Sequence, residues 1–274
     1  MKLAIVSDIH ANLEALRAAL ASIAAEGVDQ ILCLGDIVGY HADPGECIAL
    51  LRRAGAVCVA GNHDSAVACR ITTEGFSAAA ALGVAWTRER LDADAVAFLA
   101  GLPRQACAGD GAVVAVHGAL LPGGGCETTR LETEDSRRPC FQALAEHPSG
   151  AKVCAFGHTH QLGIYEFRDG VERVRAEDTV ILRDDALYLV NPGTVGQPRN
   201  GEKRATYLVL DTARRAASVR RVEYDAALAL AKARDAGLLP PAARPSPVRA
   251  AAVRALRWVG LYSTVKRALR RDGA

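Results

Sequence analysis

The first third of the chain alternates continuous apolar runs with segments whose apolar residues recur at helical spacing. Unbroken apolar runs are typical of strands that are buried on both faces. The three runs lie at 3–6, 31–34 and 56–60. Asn12 is predicted to cap a first helix, and Asp43 followed by Pro44 to begin a second helix that ends at Gly55. This β-α-β-α-β order indicates a parallel sheet with right-handed crossovers.

The chain continues to residue 236 with further predicted helices and short strands. An alanine-rich stretch at 76–100 is predicted to be helical, and 225–236 is predicted to be a last packed helix. Segments near 206–210 and 217–222 are expected to form a hairpin of two strands. Further short strands are predicted at 113–116, 153–156, 162–167 and 187–190. The pattern as a whole predicts an α/β fold.

The character of the chain changes after residue 237. The four prolines of the next segment are Pro240, Pro241, Pro245 and Pro247. Residues 248–271 are predicted to form one amphipathic helix with a basic face. We therefore expect a main domain over 1–237 and a Pro-rich linker with a basic helix over 238–274. This helix either docks on the domain with its charged face in solvent, or makes a weak contact with an anionic membrane surface, a nucleic acid or a partner protein.

Composition argues against several classes of protein. The chain has 274 residues, of which 50% are hydrophobic and 23% are charged, as is ordinary for a globular protein. The formal charge is only +2, which argues against a nucleic-acid-binding surface along the whole chain. The longest uncharged stretch around an apolar run, at 111–126, is broken by glycines and is too short to span a membrane.

The N-terminus and the cysteines bear on the location of the protein. Asp8 lies within the first eight residues, and no apolar segment with a small-residue cleavage site is found there, so no secretory leader is expected. The eight cysteines include no Cys-x-x-Cys pair, and Cys33, Cys58 and Cys154 lie inside apolar runs as small core residues do. We expect reduced thiols and a cytoplasmic location.

Five separate segments bring His, Asp and Asn residues to the ends of apolar runs. The segments are Asp8-Ile9-His10, Gly35-Asp36, Gly61-Asn62-His63-Asp64, His117-Gly118 and Gly157-His158-Thr159-His160. Ligands of open α/β sheets bind outside the carboxyl ends of the strands, so we expect all five segments to meet at one edge. Asp8 and His10 are two residues apart, and an extended backbone would point both side chains the same way. His158 and His160 repeat this spacing.

The donor atoms in these segments suit a metal centre. Each motif alone can be an ordinary turn or solvated loop, and only their joint occurrence in this order indicates chemistry. Imidazoles, carboxylates and an amide oxygen without a thiolate favour Mn, Fe, Zn or Ni, of which we favour Mn. Seven donors are too many for one ion, but two ions about 3.5–4 Å apart that share a carboxylate would use them all. The seven are Asp8, His10, Asp36, Asn62, His117, His158 and His160.

This ordered set of motifs resembles the calcineurin-like metallophosphoesterase superfamily. The segment Asn191-Pro192-Gly193-Thr194-Val195-Gly196-Gln197-Pro198-Arg199 further resembles its bacterial phosphodiesterase and diadenosine tetraphosphatase-like branch. The resemblance extends from Met1 to about residue 225. It implies a four-layer α/β/β/α sandwich with two metals at one edge, followed in this chain by the C-terminal helical extension.

The resemblance also implies a role for each matched residue. The ligands implied for the first metal are Asp8, His10 and His160. Those implied for the second metal are Asn62, His117 and His158, with Asp36 as the bridging ligand. His63 would face the substrate. The protein Ser/Thr phosphatase branch carries Asp-Arg-Gly where this chain has Val38-Gly39-Tyr40, so a phosphoprotein substrate is not expected.

Charge and geometry indicate how such a centre would act. Two divalent ions with Asp8 and Asp36 would leave a net positive charge that attracts a phosphate ester and stabilises charge on its oxygens. A water shared by both ions would have its pKa lowered toward ~7 and would attack phosphorus in line as a metal-bridging hydroxide. The chain has neither a Gly-x-Ser-x-Gly motif nor a phosphate-binding loop ending in Gly-Lys-Ser/Thr, and this mechanism needs no Ser or Cys nucleophile.

Four further residues are candidates for proton transfer or substrate binding. His63 is predicted to be the general acid that protonates the leaving oxygen, and Asp64 could stabilise its cationic form. Arg199 could contact an anionic substrate, and His41 could line the mouth of the site. The alternative for both is an ordinary surface residue.

The predicted function is hydrolysis of phosphodiester or phosphoanhydride bonds in a small, nucleotide-like substrate. One alternative is a phosphomonoesterase of the same fold, and another is a non-catalytic, metal-binding interaction scaffold. The complete ligand set together with His63 argues against the scaffold.

Overall fold

The computed structural model of the protein describes residues 1–199 and 201–239. The basic helix predicted at 248–271 lies outside the described residues, as does the predicted linker after Leu239. In chain order the helices and strands are β1 (Lys2–Val6), α1 (Leu13–Glu26), β2 (Gln30–Cys33), α2 (Pro44–Arg53), β3 (Val57–Cys58), α3 (Asn62–Val67), α4 (Ala78–Arg88), α5 (Ala93–Gly101), β4 (Gln105–Ala108), β5 (Val113–Val116), β6 (Ala119–Leu120), β7 (Cys126–Glu127), α6 (Glu134–Ala145), β8 (Val153–Ala155), β9 (Leu162–Arg168), β10 (Val171–Arg175), β11 (Thr179–Ile181), β12 (Leu187–Pro192), β13 (Ala205–Asp211), β14 (Ala216–Val222) and α7 (Ala226–Asp235).

The strands form two six-stranded sheets and a small hairpin of β6 with β7. The first sheet has the order β11-β14-β13-β1-β2-β3, and the second has the order β10-β9-β12-β8-β5-β4. β1, β2 and β3 run parallel, with Ile5 opposite Leu32, as the β-α-β-α-β pattern predicted. β5, β8 and β12 form a second parallel set, with Val114 opposite Cys154. Each sheet therefore contributes three parallel strands whose following loops can carry functional residues.

Side chains alternate between two cores along the strands. Leu3 and Ile5 of β1 point into a core between the two sheets, whereas Ala4 and Val6 pack on the side that the helices α1, α2, α3 and α5 cover. β5 alternates in the same way, and its outer face packs against α6. The layers are thus helices, sheet, sheet and helix, and the predicted four-layer α/β/β/α sandwich is confirmed.

Two predicted elements differ in detail from the structure. The stretch at 76–100 contains two helices, because Asp92 caps α5 by accepting a 2.8 Å hydrogen bond from the N–H of Ala95. Asp43 precedes α2 as predicted, but its side chain makes no capping hydrogen bond and pairs with Lys232 of α7 at 2.6 Å. No helix within the described residues is long and apolar enough to cross a bilayer.

Candidate metal centre

The loops that follow the six parallel strands meet one another through backbone hydrogen bonds. The N–H of Asp8, after β1, donates to the carbonyl of Gly35, after β2, at 3.0 Å. The N–H of Gly157, after β8, donates to the carbonyl of His117, after β5, at 2.9 Å. The N–H of Gly196, after β12, donates to the carbonyl of Asp8 at 3.0 Å and so connects the two sheets. The N–H of His63, in the segment after β3, donates to Oδ1 of Asp36 at 2.8 Å. The five predicted segments therefore lie together at one edge of the sandwich.

The backbone of five of the seven candidate ligands is left-handed rather than extended. φ lies between 50° and 63° at Asp8, His10, Asp36, His158 and His160. Residues with a Cβ populate this region sparsely, and such conformations cluster at functional sites. The expectation that an extended backbone aligns the side chains of Asp8 and His10, and of His158 and His160, is therefore wrong. Both pairs reach the site because tight left-handed turns direct them there.

One group of donors joins the loops after β1 and β8. Nε2 of His160 lies 3.3 Å from Oδ1 of Asp8 and 3.1 Å from Nε2 of His10. The backbone N–H of His158 donates to the other oxygen of Asp8, Oδ2, at 3.2 Å. Ligand atoms of Asp8, His10 and His160 all lie within 4.8 Å of one another, so one ion could contact the three.

A second group lies around Asp36. Nε2 of His117 lies 3.3 Å from Oδ2 of Asp36 and 3.2 Å from Oδ1 of Asn62. Ligand atoms of Asp36, His117 and His158 also lie within 4.8 Å of one another. Oδ2 of Asp36 is 3.7 Å from Nε2 of His10 as well, so this carboxylate lies between the two groups.

Backbone carbonyls set the orientation of three of the imidazoles. The hydrogen bonds run from Nδ1 of His10 to Val38 at 3.2 Å, from Nδ1 of His160 to Gln197 at 3.0 Å, and from Nδ1 of His117 to Leu34 at 2.7 Å. A carbonyl oxygen only accepts, so each Nδ1 carries a proton, and each neutral ring has its lone pair on Nε2. All three Nε2 atoms face the other donors of the cluster.

Burial and charge perturb the titration of the cluster. Burial lowers the pKa of His10 well below its usual value and the pKa of His158 to about 3. Burial also acts to lower the pKa of His117, but the charge of Asp36 outweighs it and raises this pKa to about 10. For Asp36, burial acts to raise the pKa, and the charge of His117 brings it well below its ordinary range. The centre thus favours a positive charge next to Asp36.

The donor set fits divalent transition-metal ions. Oδ1 of Asp8 is buried and has no hydrogen-bond partner among residues 1–199 and 201–239, which is costly for a carboxylate oxygen. The Nε2 lone pairs of His10 and His160 are 3.1 Å apart, and neither ring has a proton to place between them when neutral. A cation bound among these three atoms would satisfy all of them, and nitrogen and oxygen ligands without thiolate suit Mn, Fe, Zn or Ni.

Comparison with known sequences identifies the family of this chain. A sequence model of the calcineurin-like phosphoesterase superfamily domain matches residues 1–215. The chain belongs to this superfamily. It is also 33% identical to an uncharacterized protein of Methanocaldococcus jannaschii over 226 residues, which is 81% of this chain and 88% of that protein. The family predicted from the motifs is therefore confirmed.

Two solved structures share the architecture of this chain. A metallophosphoesterase from Sphaerobacter thermophilus has 34% sequence identity and a TM-score of 0.71, over 88% of this chain and 95% of that chain. A protein from Pyrococcus horikoshii has 18% identity and a TM-score of 0.66, over 87% and 94% of the two chains, and shares the fold.

The loop Asn191–Arg199, which resembles one branch of the superfamily, connects the candidate ligands to the rest of the fold. Oγ1 of Thr194 donates to the carbonyl of Asp8 at 2.8 Å. Nδ2 of Asn191 donates to the carbonyl of Gly157 at 3.0 Å. The loop therefore bridges the segments that carry the first group of donors.

The carboxylate of Asp64 accepts hydrogen bonds from backbone N–H groups. Its Oδ1 accepts the N–H groups of Ile37 at 2.9 Å and Val38 at 3.2 Å, and its Oδ2 accepts the N–H of Gly61 at 3.0 Å. Among the described residues, no hydrogen bond joins this carboxylate to the imidazole of His63. The carboxylate instead ties the loop after β2 to the start of α3.

His63 lies beside the candidate ligands in the first turn of α3 and lines the adjoining cavity. Its ring is 4.8 Å from the ring of His10 and 5.2 Å from that of Phe76, measured between centroids. A Cβ on Gly39 would overlap Nδ1 of His63, so the glycine makes room for the imidazole. Burial lowers the pKa of His63. A ligand atom of His63 also lies within 4.8 Å of ligand atoms of His10 and Asp36.

The two candidate substrate contacts have different surroundings. Arg199 lines the cavity, and its Nη2 lies 3.3 Å from Nε2 of His160. His41 is buried and is not among the residues that line the cavity, and burial lowers its pKa to about 4. The backbone at Ala229 of α7 contacts its side chain. The structure therefore does not support the prediction that His41 lines the substrate mouth, because α7 covers it.

The cavity beside the cluster has a volume of about 710 Å³, and sequence reasoning missed several residues of its walls. These are Tyr40, Ile71, Thr72, Phe76, Thr128 and Arg130. All six lie in loops, and all but Tyr40, which ends the segment Val38-Gly39-Tyr40 named above, lie outside any recognisable motif. Gly118 was one sequence signal that a second segment approaches His117. A Cβ on Gly118 would overlap the carbonyl of Glu127, so this glycine allows the strand before Thr128 to lie close to His117.

Proposed function

We propose that this protein hydrolyses phosphodiester or phosphoanhydride bonds in a small, nucleotide-like substrate, using two divalent cations. The observation that carries the proposal is the convergence of three imidazole Nε2 atoms and two carboxylates beside an open cavity. The Nδ1 atom of each of these imidazoles donates to a backbone carbonyl, so each ring in its neutral form has an Nε2 lone pair that a cation can bind.

The contacts support a division of the ligands between the two cations. The first cation would be held by Asp8, His10 and His160. The second cation would be held by Asn62, His117 and His158. Asp36 would bridge them, because its Oδ2 lies 3.7 Å from Nε2 of His10 and 3.3 Å from Nε2 of His117. Manganese is the metal we favour among those that prefer nitrogen and oxygen ligands.

Divalent cations bound there would polarise the phosphoryl oxygens and lower the pKa of a water molecule toward the neutral range. The protein residues then orient the substrate and supply a proton. His63 lies at the cavity wall and is the residue proposed to protonate the leaving oxygen. Asp64 supports this step indirectly, because it holds the loop after β2 and the start of α3 together.

The cavity supports a substrate larger than phosphate itself. Its volume of about 710 Å³ lies within the range of small-molecule sites. Ile71 and Phe76 give one wall an apolar character, and Arg130 and Arg199 add two guanidinium groups that can bind anionic oxygens. In a phosphodiester or phosphoanhydride, the organic group would contact the apolar side chains and the anionic oxygens would contact the two guanidinium groups.

The proposal is tested with protein that has been stripped of metal by a chelator and reloaded with Mn²⁺. We expect hydrolysis of bis-p-nitrophenyl phosphate only after reloading, with a higher kcat/KM than for p-nitrophenyl phosphate. A preference for p-nitrophenyl phosphate would favour the phosphomonoesterase instead. If protein with two bound Mn²⁺ ions hydrolyses neither ester nor a phosphoanhydride such as ADP, a catalytic role is contradicted.

A further inference from the structure

Arg199 forms a hydrogen bond with one of the proposed metal ligands. Its Nη2 lies 3.3 Å from Nε2 of His160. Nδ1 of His160 donates to the carbonyl of Gln197 at 3.0 Å, so Nε2 of the neutral ring has a lone pair and no proton. A guanidinium group has donors and no acceptor. Arg199 therefore donates into the Nε2 lone pair of His160.

The same lone pair is the one that a metal ion needs. Nε2 of His160 lies 3.3 Å from Oδ1 of Asp8 and 3.1 Å from Nε2 of His10, the other donors of the first group. One lone pair cannot serve a guanidinium and a cation at the same time. The positive charge of Arg199 also repels a divalent cation at such short range.

We propose that Arg199 competes with the first cation for Nε2 of His160 and leaves this atom when the cation binds. The inference rests on the proposed function, because it assumes that Asp8, His10 and His160 bind metal. The displaced guanidinium remains beside the cavity and becomes available to the anionic oxygens of a phosphate ester. Metal loading and anion binding therefore strengthen each other through this one side chain.

Arg130 offers a matched control within the same cavity. Its Nη1 donates to the backbone carbonyl of His158 at 3.3 Å, and its Nε donates to Glu132 at 2.8 Å. Within the described residues its guanidinium makes no hydrogen bond to an imidazole nitrogen. It therefore brings a positive charge to the cavity without occupying a ligand's lone pair.

The test is calorimetric titration of Mn²⁺ into metal-free wild type, Arg199→Gln, Arg199→Lys and Arg130→Gln, with and without inorganic phosphate. Without phosphate, Arg199→Gln should bind its first Mn²⁺ about 5-fold more tightly than wild type, or better. The affinity of Arg199→Lys for its first Mn²⁺ ion should lie between those of wild type and Arg199→Gln. The affinity of Arg130→Gln should differ from that of wild type much less than the affinity of Arg199→Gln does. Phosphate should raise the Mn²⁺ affinity of wild type more than that of Arg199→Gln.

Two results would overturn the inference. One is an Mn²⁺ affinity of Arg199→Gln that equals or falls below that of wild type. The other is equal tightening in Arg130→Gln, which would assign the effect to charge in the cavity rather than to the shared lone pair. Failure of the proposed function is distinguishable, because wild type would then bind no Mn²⁺ or would bind two ions and hydrolyse no ester.

Discussion

Oδ1 of Asp36 accepts a 2.8 Å hydrogen bond from the backbone N–H of His63. The first turn of α3, which carries His63, is therefore bound to the carboxylate that is proposed to bridge the two cations. Asp36→Asn replaces an anionic oxygen by a neutral amide that cannot bridge two cations. We expect the variant to lose at least one ion and to bind Mn²⁺ about 10-fold more weakly or worse. Elemental analysis and calorimetric titration measure this change.

Asp94→Asn is the matched control for Asp36→Asn. Asp94 is an exposed carboxylate on α5 that pairs with Arg52, and its side chain is 73% accessible. The control should keep the metal content and affinity of wild type. A full complement of two ions in Asp36→Asn would contradict the bridging assignment.

His63→Ala should separate proton transfer from metal binding. Loss of a general acid lowers kcat by ~10²–10⁴, and we expect a fall of this size for bis-p-nitrophenyl phosphate with both metal ions retained. Steady-state kinetics and elemental analysis of the same preparation measure the two properties.

His147→Ala is the control for removal of an imidazole. His147 contacts Gln105 and Ser149 and lies outside the cavity, so kcat should not change. If His63→Ala loses a metal ion together with its activity, His63 is a ligand, as its proximity to His10 and Asp36 allows.

Asp64→Ala should destabilise the fold rather than alter the chemistry directly. The carboxylate accepts three buried backbone N–H groups, from Ile37, Val38 and Gly61. Each buried donor left unpaired costs about 1–3 kcal/mol. Asp64→Asn keeps one carbonyl oxygen and should lose less. Urea denaturation measures both free energies of unfolding, and equal stability of Asp64→Ala and wild type would refute the structural role.

Glu172→Ala should be strongly destabilising, because it leaves a buried guanidinium unpaired. Nη2 of Arg137 lies 2.6 Å from Oε1 of Glu172, and the two side chains are 6% and 5% exposed. Removing one partner of a buried pair costs about 3–5 kcal/mol. The exposed pair of Arg138 with Glu134 gives the control, because Glu134→Ala should cost about 0–1 kcal/mol in the same urea experiment. Similar losses in the two variants would count against this explanation.

Gly196→Ala should disturb the loop that joins the two sheets. A Cβ on Gly196 would overlap the carbonyl of Ile9, and the N–H of Gly196 donates to Asp8. Overpacking of this kind costs about 1–3 kcal/mol, and we expect a lower melting temperature and weaker Mn²⁺ binding. Gly101→Ala, where a Cβ would meet no atom of the described residues within 4 Å, should lower neither the melting temperature nor the Mn²⁺ affinity. Unaltered melting of Gly196→Ala would contradict the proposed packing.

Local patterns predicted much of this fold. The apolar runs at 3–6 and 31–34 became β1 and β2, because strands buried on both faces need apolar side chains at successive positions. Asn12 caps α1 by accepting a 3.1 Å hydrogen bond from the N–H of Ala15, as its position predicted. Segments without such patterns, among them α3 and the hairpin of β6 with β7, were not predicted.

The candidate site could be predicted as far as the identity of its donors. The motifs placed the seven donor residues at the predicted ends of strands. The parallel order of the strands implied that these ends lie at one edge of the fold. The argument failed where geometry depends on distant contacts. Asp8 and His10 have left-handed φ values, which their spacing in sequence did not reveal. Asp64 binds backbone N–H groups 26 and 27 residues away rather than the neighbouring His63.

The amino-acid sequence by itself determined the order of helices and strands and which side chains are available as ligands, since both depend on residue type and on spacing within one element. Tertiary structure alone decided how His160 lies 3.1 Å from His10, 150 residues earlier, and which residues form the cavity walls. It also decided that Arg199 donates to His160. The physical reason is that these relations arise from packing between loops of two different sheets, and no local pattern along the chain records such contacts.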